Sequence, residues 1–185
     1  LYRCKVQGKA AHPSLTPKGC NAIEYAARLI CHIRDVADQF KAQGPYDEFY
    51  DVPFTTMTTN QISGGIAVNT IPELCEFNYE FRNLPGMTSE SIQAKVESYV
   101  RDELLPRMQR EFADARIDIE AGPYAPALEA SEQAAITALV RALTGDQTTR
   151  KVAYGTEAGL FQNIGIPTVV CGPGVRTRLP GDIAR

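Results

Sequence analysis

Cys75-Glu76-Phe77-Asn78-Tyr79-Glu80-Phe81-Arg82 alternates without a break: Cys75, Phe77, Tyr79 and Phe81 share one side, Glu76, Asn78, Glu80 and Arg82 the other. Side chains of an extended chain point to opposite faces in turn, so this is a strand with one dry and one wet face. Tyr2 to Gly8 has the same pattern, with Tyr2, Cys4 and Val6 against Arg3, Lys5 and Gln7. Between the two, Thr55 to Ile62 is rich in β-branched residues, and Gly64, Gly65 and Pro72 punctuate the connection. Asn21 opens a helix with Glu24 three residues on. Ile23, Ala26, Ala27, Ile30, Ile33, Ala37 and Phe40 predict its apolar face, and Gly44-Pro45 ends it. A second helix is predicted from Thr88 or Ser89, with Ile92, Val96, Tyr99 and Val100 on one stripe, ending or kinking at Pro106. Ala115 to Glu120, with Ile117 and Ile119 inward, closes the set. The order β-α-β-β-α-β, with one apolar and one charged face per strand, predicts an α+β fold. It is a ferredoxin-like two-layer sandwich over residues 1–121, with helices on one side of the sheet and water on the other.

Ala121-Gly122-Pro123-Tyr124-Ala125-Pro126 reads as a linker. Beyond it a helix is predicted from about Ser131 to Leu143, a strand at Val152 and a short helix after Thr156. Thr168-Val169-Val170-Cys171 is apolar on both faces, as in a buried parallel strand. Nothing else in the sequence supplies that run with a second cover, so residues 122–174 are expected to be a partial α/β segment of a larger domain. Residues 175–185 stand apart as an atypical tail.

The 185 residues suffice for one domain and part of a second, and an apolar content of 44% is enough for a packed core. A formal net charge of −3 argues against a general role on nucleic acid or at a membrane surface. No apolar run approaches a membrane span, and Leu1-Tyr2-Arg3-Cys4 does not read as a signal peptide. The five cysteines, Cys4, Cys20, Cys31, Cys75 and Cys171, form no Cys-x-x-Cys pair and leave one over. Buried thiols in a reducing compartment fit that better than a disulfide framework, so the expected location is the cytoplasm.

Six positions carry candidate chemistry. His12, in the loop after the first strand, can donate a hydrogen bond to a carbonyl oxygen that becomes negative in a transition state, or it is a solvated surface group. His32 lies between apolar helix positions and is read as structural. Asn69 offers both an amide donor and an acceptor, or serves a turn. Arg82 can grip a carboxylate with two parallel bonds, or pair with an acid on its own exposed face. The glycine turn at Gly155 and the helix opened by Thr156 and Glu157 aim free N–H groups and a positive dipole end at one spot, which suits a carboxylate. Glu157 can select a cationic substrate side chain, or satisfy the helix dipole.

Gly8-Lys9-Ala10-Ala11-His12-Pro13-Ser14, Asn69-Thr70-Ile71-Pro72 and Val152-Ala153-Tyr154-Gly155-Thr156-Glu157-Ala158-Gly159-Leu160-Phe161-Gln162 together resemble the zinc-dependent aminoacylase/carboxypeptidase family. The resemblance covers about Leu1 to Gly174 and implies a lid and dimerisation domain at 1–121, then a C-terminal piece of the zinc-hydrolase catalytic domain at 122–174. It further implies a homodimer in which His12 reaches the opposite subunit's active site, Asn69 helps hold the scissile group, and Arg82, Gly155 and Thr156 anchor the carboxylate of a small acyl amino acid. Glu157 would face a basic side chain. The family's two zinc ions are held by His-x-Asp and Glu-Glu segments and by a histidine after Gly-Pro-Gly, and this sequence has none of these after Gly172-Pro173-Gly174 or elsewhere. The 185-residue chain alone is therefore expected to bind no catalytic zinc and to hydrolyse nothing; a broken or excerpted coding region would account for the tail. The competing expectation is a metal-free association or ligand-binding module. Phe77, Tyr79 and Phe81 alternate as base-stacking aromatics would, although Glu76 and Glu80 lie among them.

Overall fold

The computed structural model describes residues 1–149, 151 and 155–172. They fall into two compact units, one of residues 1–125 with 150–155, the other of 126–149 with the chain from Thr156. The first carries strand β1 (Tyr2–Gln7), helix α1 (Ala22–Gln43), strands β2 (Thr56–Gly64) and β3 (Leu74–Arg82), helices α2 (Ser89–Tyr99) and α3 (Leu105–Glu111), and strand β4 (Arg116–Ala121). The four strands form one antiparallel sheet in the order β2-β3-β1-β4. This is the ferredoxin-like arrangement that the alternation predicts.

One face of the sheet is dry. Cys4, Val6, Cys75, Phe77 and Tyr79 are at most 1% exposed, packed with Leu29, Ile33, Ile92, Val96, Leu104 and Met108 from the helices. Burying a ring the size of Phe77 contributes about 1.5–3 kcal/mol. The Tyr79 hydroxyl donates to Gln93 Oε1 at 2.7 Å, which removes the cost of its burial. The aromatics that a base-stacking surface would need thus face the helices. On the wet face Lys5 stands opposite Glu76 and Asp118, and Arg3 opposite Glu120, so cross-strand charge pairs line the sheet.

Asn21 caps α1, its Oδ1 accepting from the N–H groups of Ile23 and Glu24. The buried stripe, however, runs Ala22, Tyr25, Ala26, Leu29, Ile33, Val36 and Phe40. Ile23 and Ala27, predicted to face inward, are exposed, with Ile30 and Ala37 on the flank. The true stripe includes Tyr25, whose polar tip reaches Glu111 at 2.7 Å while its ring stays in the core. Ile23 lies instead over the β2 end, beside Gly64.

Pro106 does not end the second helix. A π turn at Val100–Leu104 links α2 to α3, with the Leu105 N–H donating to the Val100 carbonyl five residues back. That wider turn absorbs the proline, which has no N–H and would clash with a carbonyl four residues back in a regular helix.

The second unit contains helices α4 (Ala135–Thr144) and α5 (Ala158–Asn163). Residues 131–134 make the turn before α4, where the Thr137 hydroxyl donates to the Ser131 carbonyl at 2.8 Å. The buried strand predicted at Thr168-Val169-Val170-Cys171 is not present: the segment has no regular structure, and Val170 is 40% exposed. An apolar run becomes a strand only where neighbours take its N–H and C=O groups, and no described segment pairs with this one. The strand predicted at Val152 and the tail at 175–185 lie outside the described residues. All five cysteines are free; Cys31 and Cys171 are exposed rather than buried.

Candidate functional site

Gly8 ends β1, its N–H donating to the Glu73 carbonyl at 2.8 Å. A Cβ here would lie 2.1 Å from the Cys20 carbonyl oxygen, so only glycine fits the closure that follows. Lys9 and Cys20 exchange both backbone hydrogen bonds at 2.9 Å, pinching residues 10–19 into a loop. Inside it Ala11 bridges to Ile71, whose N–H donates to the Ala11 carbonyl at 2.8 Å. His12 follows Ala11, and Asn69 precedes Ile71 by two residues in a turn closed by Thr70 N–H and the Ala67 carbonyl. These backbone bonds place both candidates at the same end of the sheet, and both are exposed. His12 Nδ1 lies 2.8 Å from Ser14 Oγ and 3.3 Å from the Ser14 amide. None of the side-chain hydrogen bonds given by the described residues holds the Asn69 amide.

The other end of the sheet holds Arg82, the last residue of β3. Its guanidinium meets Glu80, two residues back on the same wet face, at 3.1 Å. Gly155 lies against the same group: a Cβ on it would stand 2.8 Å from Arg82 Nη1. The absence of a side chain at Gly155 thus leaves room for the guanidinium, whose paired N–H donors suit a carboxylate.

Four residues before Gly155, Lys151 makes a pair that no sequence pattern announces. Lys151 Nζ donates to Asp47 Oδ2 at 2.6 Å, above the rings of Phe49 and Tyr50, and its backbone N–H donates to the Phe49 carbonyl at 3.0 Å. The hydrogen bond from Lys151 holds the Asp47 carboxyl below its ordinary range. No local pattern links residues 104 positions apart, so only the fold reveals it.

Thr156 and Glu157 belong to the second unit. The Thr156 hydroxyl accepts from the Ala158 N–H at 3.2 Å, opening α5. Glu157 occupies the capping position without a side-chain capping bond and is exposed. His32 is structural: its ring stacks on Tyr99 at 4.0 Å, and its Nε2 lies 3.2 Å from the Lys95 carbonyl, joining α1 to α2. Among the described residues no three His, Cys, Asp or Glu side chains gather as metal ligands. No described helix is long and apolar enough to cross a membrane.

Solved structures share this fold at low identity. Aminopeptidase PepT from Bacillus cereus is 22% identical with a TM-score of 0.61, covering 90% of this chain and 41% of its own. An amidase of the hydantoinase/carbamoylase family from Burkholderia vietnamiensis is 20% identical with a TM-score of 0.61, over 90% and 37%. A tripeptidase from Staphylococcus aureus is 17% identical with a TM-score of 0.60, over 90% and 40%. The chain thus spans about two fifths of the length of these structures. Residues 1–108, more than half of the 185, match the profile described as the peptidase dimerisation domain. The chain belongs to the peptidase dimerisation domain family.

Proposed function

We propose that this chain is the dimerisation domain, with an adjoining piece of the catalytic domain, of a zinc-dependent amidohydrolase that deacetylates N-acetylornithine. That enzyme would be an acetylornithine deacetylase of arginine biosynthesis, a cytoplasmic homodimer. One observation carries the composite site: His12 and Asn69 lie beyond one end of β3, Arg82 and Gly155 at the other. Nine residues of strand separate the two groups by roughly 26 Å. An acyl amino acid is far shorter than that. A working site therefore takes His12 and Asn69 from one subunit and Arg82 and Gly155 from its partner, which supports a homodimer as the active form.

In that site the His12 ring N–H and the Asn69 amide donate to the amide carbonyl oxygen as it gains charge. Arg82 and the Gly155 N–H hold the α-carboxylate, and the family resemblance assigns Thr156 to carboxylate binding and Glu157 to substrate selection, favouring ornithine over neutral amino acids. Metal dependence is general in this family, but the described residues do not fit a metal. Nothing assigned to this chain runs through one.

The test mixes two variants of the full-length enzyme. His12→Ala and Arg82→Ala should each lose roughly a hundredfold or more in turnover as separate homodimers. Reassociated, half the dimers carry one intact site of two, and about a quarter of the activity returns. No recovery on mixing would rule out a shared site. Activity on N-acetylornithine that Glu157→Gln leaves unchanged would remove Glu157 from substrate selection. The second reading is a dipeptide or carbamoyl-amide hydrolase, favoured by the peptidase and carbamoylase names of the solved relatives; assays on those substrates decide between them.

A further inference from the structure

We propose that Ser14 is a positioning residue that fixes which ring nitrogen of His12 carries the proton. This role presupposes that His12 donates to the substrate oxyanion, as set out above. His12 sits in extended backbone (φ −70°, ψ 140°) at the start of the 3-10 turn Pro13–Lys18, and the Leu15 N–H closes that turn on the His12 carbonyl at 2.8 Å. Pro13 pre-sets its own φ and supplies no N–H, so Ser14 offers the first amide of the turn. That amide reaches back to His12 Nδ1 at 3.3 Å. A backbone N–H can only donate, so Nδ1 accepts, and in the neutral ring the proton resides on Nε2.

The hydroxyl of the same residue stands closer, 2.8 Å from Nδ1. It rotates freely and adds a second donor to the neutral ring at the same nitrogen. Both contacts lie within two residues of His12, so the tautomer is set by the His-Pro-Ser turn itself and is in place before any substrate arrives. An oxyanion donor needs that preorganisation: a ring with its proton on Nδ1 would present a lone pair where the transition state requires a hydrogen.

The experiment is 15N-resolved NMR of the imidazole in the 185-residue chain, at a pH where the ring is neutral. The Nε2–H form should exceed the Nδ1–H form by about fivefold more than in an unfolded Ala11–Leu15 peptide, the factor that one net hydrogen bond of ordinary strength supplies. Ser14→Ala, which keeps the amide and removes the hydroxyl, should lower that ratio several-fold, and Ser14→Thr should restore it. A predominant Nδ1–H form in the unaltered chain, or a ratio that Ser14→Ala leaves unchanged, overturns the proposal. The ring spectrum is independent of turnover. Undiminished kcat in a full-length His12→Ala enzyme would remove His12 from catalysis, whereas the tautomer ratio alone decides what Ser14 does.

Discussion

Residues 1–125 and 126–172 have similar appetites for burial and very different success. In the first stretch the inward strand residues meet the helices, and the largest fully buried side chains, Tyr79, Phe77, Leu29 and Ile33, are at most 1% exposed. In the second, Leu139, Leu143, Leu160, Phe161, Ile164 and Ile166 are all 47% exposed or more, and only Thr137 and Gly159 are buried among the described residues. Both stretches contain well-formed helices. A helix can be specified locally, by its caps and its spacing, whereas a core requires a second surface that answers the first.

The contrast is broken most sharply by truncating the core of the first unit. Phe77→Ala should cost about 3–5 kcal/mol in urea unfolding, enough to unfold a marginal domain. A loss below 1 kcal/mol would mean that the sheet and helices are not packed as described.

A smaller effect comes from pH. Burial pushes the Cys4 thiol up to about 12 from an ordinary 9.0, and Cys20 up to about 11. Each thiol is neutral in the folded chain and ionises first in the unfolded one, so its stabilisation is full below pH 9 and fades as pH rises above it. Between pH 9 and 11 the loss should reach at most about 1.4 kcal/mol per pH unit for Cys4. Urea midpoints at pH 8 and pH 10 measure it, and Cys4→Ala should flatten the slope. The smallest change is expected in the second unit: Leu143→Ala on α4, at a side chain 77% exposed, should stay within about 0.5 kcal/mol. A larger cost would show that something covers α4.

The same contrast governs what could be read from the chain. Strands β1 and β3 were legible because a half-buried strand writes its two faces as alternate letters. The face of α1 was turned by about one residue, taking in Ile23 and Ala27 and leaving out Leu29 and Val36, because an apolar-rich helix offers more than one stripe. The true one also includes Tyr25, whose polar tip finds Glu111, 86 residues away. The apolar run at 168–171 predicted a strand because composition records dryness but not a hydrogen-bonding neighbour. At the candidate site, Gly8 and the His12 turn are local and visible in sequence. The nearness of Gly155 to Arg82, and the Asp47–Lys151 pair, are products of chain return, which no spacing rule encodes.

The π turn at Val100–Leu104 has a consequence for insertions and deletions. Ile92, Val96, Val100, Leu104 and Met108, all buried, follow one another at intervals of four. A regular helix advances about 100° per residue, so that spacing would swing Met108 roughly 160° away from Ile92. The wide turn holds one residue beyond what a regular helix of the same rise needs, and so brings Leu104 and Met108 back to the sheet. Removing one residue from this turn would leave intervals of four, four, three and four, which a regular helix keeps near one face, although Pro106 would then need another accommodation. The same deletion in α1, whose stripe already alternates threes and fours, would turn everything after it out of the core. Of the two helical segments on the sheet, the one carrying the proline is therefore the one whose length can drift by a residue while its inward face stays inward.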